Sequence, residues 1–115
     1  MSEQKIVVQK MPEERLRYFF TSKLMAKSEQ KFFRPIRKKS EPFLEMVGEP
    51  GSEVVRKIMK ISGVISINTT IYSIGVKITP AHDWDDVQGR ILKIIAEVVF
   101  DKKLYIDVNV EHIYL

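Results

Sequence analysis

The chain has 115 residues, a formal net charge of +4, 44% hydrophobic and 30% charged residues, and no cysteine. That length suits one domain able to bury a core without staples, and that balance excludes a disordered chain. No apolar run approaches the ~18 residues that span a bilayer, and without thiols there is no disulfide, cysteine nucleophile or cysteine-held metal cluster.

The opening MSEQKIVVQK returns to charge too soon for a signal peptide, so a cytoplasmic location is expected. Lys5 to Lys10 has the length of a short strand, and Pro12-Glu13-Glu14 is turn material. Arg15 to Leu24 then reads as a second, half-buried strand. Leu16, Tyr18 and Phe20 point one way and Arg17 and Phe19 the other, and the two strands are expected to form a hairpin.

Residues 25–50 show no regular pattern. Pro35 and Pro42 interrupt helix. Phe32 and Phe33 must find cover, anchoring the loop to the core, and Phe43 to Val47 reads as a short strand or a helical turn. Gly48-Glu49-Pro50-Gly51 breaks the chain.

A helix follows, with Ser52 as its N-cap and Glu53 in the first turn. Val54, Val55, Ile58, Met59 and Ile61 form its apolar stripe, and Ser62-Gly63 ends it. Val64–Thr69 and Tyr72–Thr79 predict a second hairpin around Thr70-Ile71, with Tyr72, Ile74, Val76 and Ile78 on the buried side. Asp83 is suited to cap a second helix, striped by Trp84, Val87, Ile91, Ile94 and Val98 and widened by Ile95. Gly89 weakens this helix unless it permits close approach to the sheet. Leu104, Ile106, Val108 and Val110 alternate with polar residues as a last strand.

The order β-β-α-β-β-α-β predicts an α+β two-layer sandwich, a largely antiparallel sheet with two helices on one face. Residues 1–115 form one domain, with an irregular basic segment at 25–50.

Charge is concentrated in that segment. Between Lys23 and Lys39 there are seven bases and one acid, Glu29, a local charge of +6 that exceeds the excess of the whole chain. The pattern suits an anionic partner or a solvated loop.

This order, with Ile61-Ser62-Gly63-Val64-Ile65-Ser66-Ile67, resembles the N-terminal domain of Nfu/NifU-type iron–sulfur cluster scaffold proteins. That family runs a helix into a "GV-x-x-V" strand, a second strand, and a helix entered through an acidic-Trp phrase. Gly63, Val64, Ile67, the strand around Ile74 to Ile78, and Asp83-Trp84-Asp85 stand at those positions. Leu16 to Phe20 stands where the family has an "L-K-F" strand, so the likeness covers roughly Arg15 to Val99. The family's "T-P-N-P" phrase is missing, with Met11-Pro12-Glu13-Glu14 near its place. A basic insertion precedes the first helix and a terminal strand follows the second. In full-length members a separate domain holds the cluster through Cys-x-x-Cys. The resemblance therefore implies a stand-alone relative of the accessory domain, with no cluster ligands or cofactor of its own.

Chemical motifs are sparse. His82 with Asp83, Asp85 or Asp86 is a weak metal candidate, and His112 is far from it in sequence. The aspartates more naturally complement a helix start, and Trp84 reads as a core anchor. No Gly-x-Ser-x-Gly elbow or phosphate loop is present, so no enzyme is expected. The function read from the chain is a non-catalytic protein-binding accessory module, with partners in iron–sulfur assembly or delivery. The alternative is a nucleic-acid-binding module using the loop 23–39. The candidate partner-binding residues are Lys27, Lys31, Phe32, Phe33, Arg34, Arg37, Lys38 and Lys39, with the sheet as the other surface open to a protein partner.

Overall fold

A computed structural model describes residues 4–103 and 108–114. Strands β1 (Lys5–Lys10), β2 (Leu16–Thr21) and β3 (Lys31–Phe33) are followed by a 3-10 turn (Lys38–Ser40). Helices α1 (Glu41–Val47) and α2 (Gly51–Met59) come next, then β4 (Val64–Thr70), β5 (Ser73–Ile78), α3 (Trp84–Phe100) and β6 (Asn109–Tyr114). The strands form one sheet in the order β3-β4-β5-β2-β1-β6, antiparallel throughout except for the parallel pair β1–β6. The α+β class is as expected; the order gains a third strand and a third helix within residues 25–50.

The first hairpin pairs Ile6 with Thr21 and Val8 with Phe19, and its turn is tied by the Leu16 N–H donating to the Glu13 carbonyl at 3.0 Å. Strand alternation sorts the side chains. Ile6, Val8, Phe19, Ile74, Val76, Ile67 and Phe32 occupy the inward face and are buried in one cluster with the helices. Tyr18 faces the other way, its ring lying over Gly75, where a Cβ would come within 2.6 Å of it. Val64 and Ile67 join the same core cluster although they are three residues apart, where a regular strand would set them on opposite faces. A bulge between Val64 and Ser66 resolves the parity.

The β4–β5 turn falls on Ile71-Tyr72, one residue beyond the expected position, and Tyr72 is 53% exposed instead of buried with Ile74. Neither residue favours a tight hairpin turn. Tertiary bonds hold it instead: the Met25 N–H donates to the Ile71 carbonyl at 2.7 Å and the Thr21 N–H to the Tyr72 carbonyl at 2.8 Å.

Helix α2 starts at Gly51, with Pro50 at the N-cap position. Ser52, expected there, lies inside the first turn and donates to Glu49 Oε1 at 2.6 Å. The shift follows from packing, since a Cβ on Gly51 would stand 2.6 Å from the Met25 carbonyl oxygen. The expected stripe is buried, Ile61 included, although the helix ends at Met59. Gly63 has φ +98° and lies under the His82 ring, where a Cβ would approach Cγ to 2.5 Å.

Helix α3 buries Trp84, Val87, Ile91, Leu92, Ile95, Ala96, Val99 and Phe100, while Ile94 and Val98 are only partly covered. The expected 3-4 repeat averages 3.5 residues, whereas the helix turns every 3.6, so the buried face drifts along i+4 rows. A Cβ at Gly89 would meet nothing within 4 Å, so this glycine gives no close approach to the sheet.

Residues 25–50 are ordered by the sheet and by α2. Pro42 sits in the first turn of α1, where proline is tolerated, instead of barring a helix. Leu44 and Val47 bury one side of α1. Of the predicted last strand, Leu104 to Asp107 lie outside the described residues, Val108 precedes β6 and Val110 lies within it.

Three glycine substitutions test this packing by chemical denaturation. Gly89→Ala is expected to stabilise by up to ~1 kcal/mol. Gly51→Ala and Gly63→Ala are expected to cost about 1–3 kcal/mol each, through overlap and, at Gly63, left-handed backbone strain. Equal effects at all three positions would contradict the packing described.

Candidate functional site

β3 is short, and its position is set by neighbours rather than propensity. The Thr69 N–H donates to the Gln30 carbonyl at 2.9 Å, and the Arg34 N–H to the Ile65 carbonyl at 3.0 Å. Thr69 Oγ1 accepts the Gln30 N–H at 3.0 Å and donates to the Ser28 carbonyl at 2.8 Å. Alternation then separates the adjacent phenylalanines. Phe32 is 4% exposed in the core, whereas Phe33 is 63% exposed. The expectation that both would be covered therefore holds for one ring.

The 3-10 turn and α1 fold back beside this strand. Arg56 on α2 makes a two-pronged ion pair with Glu41, one arm at 2.9 Å, and fixes the start of α1. The Arg56 hydrogen bond, helped by its charge, holds the Glu41 carboxyl below its ordinary range. The Lys27 N–H donates to the Val47 carbonyl at 2.8 Å and ties down the other end of α1. Phe43 is consequently presented at the surface, 49% exposed.

These elements enclose a cleft of about 440 Å³, lined by Lys31, Phe32, Phe33, Arg34, Pro35, Arg37, Lys39, Ser40 and Phe43. Six of the eight candidate residues line it. Lys38 is exposed on the 3-10 turn but outside the lining, and Lys27 lies at the far end of α1 with its stem against Gly48. Lys31 and Phe33 form a cation–π pair, with Nζ 5.2 Å from the ring centroid.

The lining residues do different work. Phe32 gives the cleft its floor and belongs to the core, so it offers no free ring to a partner. Arg34 donates from Nη1 to the carbonyls of Ile61 and Val64, at 3.2 and 3.4 Å, beyond the C-terminal end of α2. It is a tie between β3 and the α2–β4 turn. Lys31, Phe33, Arg37 and Lys39 remain on the open side with Phe43. Among the described residues, the lining holds four cations and no carboxylate. Phe43 is not among the sequence candidates; its signal is an apolar residue just after Pro42, in a segment without a discernible period.

A larger cleft, about 680 Å³, lies where the β1–β2 turn meets the start of α3. It mixes Lys10, Arg15 and Arg17 with Glu14, Asp83 and Asp85, so no single charge dominates. Its centre is structural. The Trp84 indole N–H donates to the Glu14 carbonyl at 2.9 Å, and the Arg17 guanidinium lies 4.9 Å from the ring centroid while bonding to Gln88. Burial lowers the Arg17 pKa, against the opposing charge of Asp85. Asp83 takes the N-cap position without a side-chain cap bond, and Asp85 and Asp86 stand in the first turn. His82 contacts Thr79 Oγ1 at 3.0 Å and Ser62 Oγ at 3.4 Å, while His112 meets Gln88 at 2.9 Å. Among the described residues, no three histidines or carboxylates gather around a point where they could hold a metal ion.

No protein-family model matches the chain, and no curated protein sequence does. Solved structures do. A NifU-like protein from Saccharomyces cerevisiae superposes with a TM-score of 0.65 at 12% identity, covering 91% of this chain and 86% of that one. The fold is NifU-like. Protein SAV1430 from Staphylococcus aureus gives a TM-score of 0.59 at 16% identity, covering 79% of this chain and 98% of that one. At these identities the likeness is one of architecture, and the NifU-like frame now carries the basic cleft described above.

The division of labour in the cleft is measurable by denaturation. Phe32→Ala is expected to cost about 3–5 kcal/mol, and Phe33→Ala to stay within ~0.5 kcal/mol of the parent. The reverse ranking would invert the assignment of the two rings. A carboxyl titration followed by NMR should place the Glu41 midpoint below that of an unpaired glutamate, and Arg56→Ala should raise it. Because the folded value is the lower one, this pair's contribution is present above the ordinary carboxylate pKa. It is lost as pH falls through the lowered value.

Proposed function

We propose that the chain is a non-catalytic protein-binding accessory module, akin to the N-terminal domain of Nfu/NifU-type scaffolds, that serves iron–sulfur assembly or delivery by contact. The observation that carries this reading is the cleft between β3 and α1. It brings two exposed aromatic rings, Phe33 and Phe43, together with four cations and, among the described residues, no carboxylate. Aromatic anchors with a charged rim are the usual composition of a protein contact site. The NifU-like architecture supplies the iron–sulfur part of the reading. The chain has no cysteine, so it has no thiolate with which to hold a cluster, and partner contact is the role left to it within that setting.

Nucleic-acid binding by the loop 23–39 is less well supported by the same geometry. Phe32 is buried and Arg34 is engaged with backbone carbonyls, which leaves Phe33 as the stacking ring of that loop.

The test is titration of the purified chain against purified cluster-scaffold and cluster-receiving proteins by calorimetry. Binding is expected with at least one, and the double substitution Arg37→Glu, Lys39→Glu should weaken it by about tenfold or more. Absence of binding to all of them removes the iron–sulfur role. Stronger, steeply salt-dependent binding to a single-stranded oligonucleotide would favour the other reading.

A further inference from the structure

β3 lies at the margin of the sheet, with β4 on one side and, among the described residues, no strand on the other. In an antiparallel ladder alternate residues turn their N–H and C=O groups toward the partner strand. The bonds from Gln30 and Arg34 to β4, with Phe32 opposite Ile67 between them, show which residues face inward. Lys31 and Phe33 therefore direct their backbone groups outward, away from the sheet. Those same two residues present exposed side chains, and Phe33 borders the cleft shared with Phe43.

We infer that β3 is a strand-addition site for an extended acidic peptide segment of a partner protein, bearing one apolar or aromatic side chain that enters the Phe33–Phe43 cleft. The inference rests on the protein-binding reading above and specifies its partner.

Three features select this occupant. The first is charge. Residues 30–40 contain Lys31, Arg34, Arg37, Lys38 and Lys39 and no acid; of the two acids that flank them, Glu41 is engaged by Arg56, and Glu29 precedes β3 outside the lining of the cleft. A carboxylate-rich strand is complementary to this edge, whereas a neutral or basic strand would desolvate Lys31 without return. Lysine at an edge also guards against pairing with a second copy of β3. The second is length. β3 spans three residues and Pro35, which has no N–H to offer, follows closely, so the paired segment is short and its register is limited. Backbone pairing alone would be weak, and specificity must come from side chains. The third is the cleft, which begins at Phe33, so a residue paired near Phe33 is placed to insert between it and Phe43.

The arrangement is tested with a synthetic eight-residue peptide of alternating Asp and Glu carrying one central Phe, labelled for fluorescence anisotropy and paired with amide NMR of the full chain. Amide perturbations should centre on Lys31 and Phe33. N-methylation of the peptide amides that face β3 keeps charge and anchor but removes backbone pairing, and it should weaken binding by about tenfold. Phe33→Ala, with its melting temperature unchanged, and replacement of the peptide Phe by Ser should each weaken binding by a similar factor. A lysine-for-acid peptide should not bind. Undiminished binding of the N-methylated peptide overturns strand addition, and so does a stronger response to a single-stranded oligonucleotide of equal charge.

The two readings fail separately. If a purified assembly protein binds with sensitivity to Arg37→Glu, Lys39→Glu while N-methylation has no effect on the peptide, strand addition falls and the protein-binding role stands. If the peptide behaves as described and no assembly protein binds, the edge site stands and the iron–sulfur role falls.

Discussion

The seating of Trp84 is the contact on which the two layers depend. Its ring is 8% exposed, packs 6.2 Å from Phe19 on the sheet, lies beneath Arg17, and is oriented by its indole N–H bond to the Glu14 carbonyl. One side chain thus joins the first residue of α3 to the β1–β2 turn and to the central strands. An indole buried this deeply needs a hydrogen-bond partner, and the turn supplies one. With α3 located, its buried residues join Ile6, Val8 and Phe19 in one core cluster, and α2 lies alongside it.

The second hairpin and the segment 25–50 hold each other in place. The Ile71-Tyr72 turn has poor local chemistry and is stabilised because Met25, Ala26 and Thr21 donate to its carbonyls. In return, that anchorage fixes where the basic segment leaves the sheet. Thr69 and Ile65 then receive β3, and the Glu41–Arg56 pair and the Lys27–Val47 bond set α1. The cleft is the by-product of these ties. Its cations are not scattered on a solvated loop: Lys31 is on β3, Arg34 directly follows it, Arg37 stands at the start of the 3-10 turn and Lys39 lies on it.

Much of the frame is legible locally. The first hairpin, α2, β4, β5 and α3 each carry an apolar period matching their geometry. Expectation and structure part where a local pattern meets a tertiary demand. Ser52 is the better cap by chemistry, yet Gly51 begins the helix because only glycine fits against the Met25 carbonyl. The stripe on α3 follows a 3.5-residue repeat in sequence and drifts in space because a real helix turns every 3.6. Tyr72 continues an alternating pattern in sequence but lies at the turn in space.

Neighbouring residues alone dictate the α+β class, the first hairpin, the two long-period helices and the concentration of positive charge between Lys23 and Lys39, because each is a local pattern. What that charge does depends on the assembled fold. Phe32 and Phe33 are adjacent and chemically identical, and strand alternation sends one into the core and the other to the surface. Arg34 and Arg37 are the same residue type, and the nearby Ile61 and Val64 carbonyls turn the first into a structural tie. Phe43, ten residues from Phe33, becomes its neighbour in the cleft because α1 folds back against α2. Burial, pairing and proximity are properties of the assembled sheet and helices, and no local run of residues encodes them.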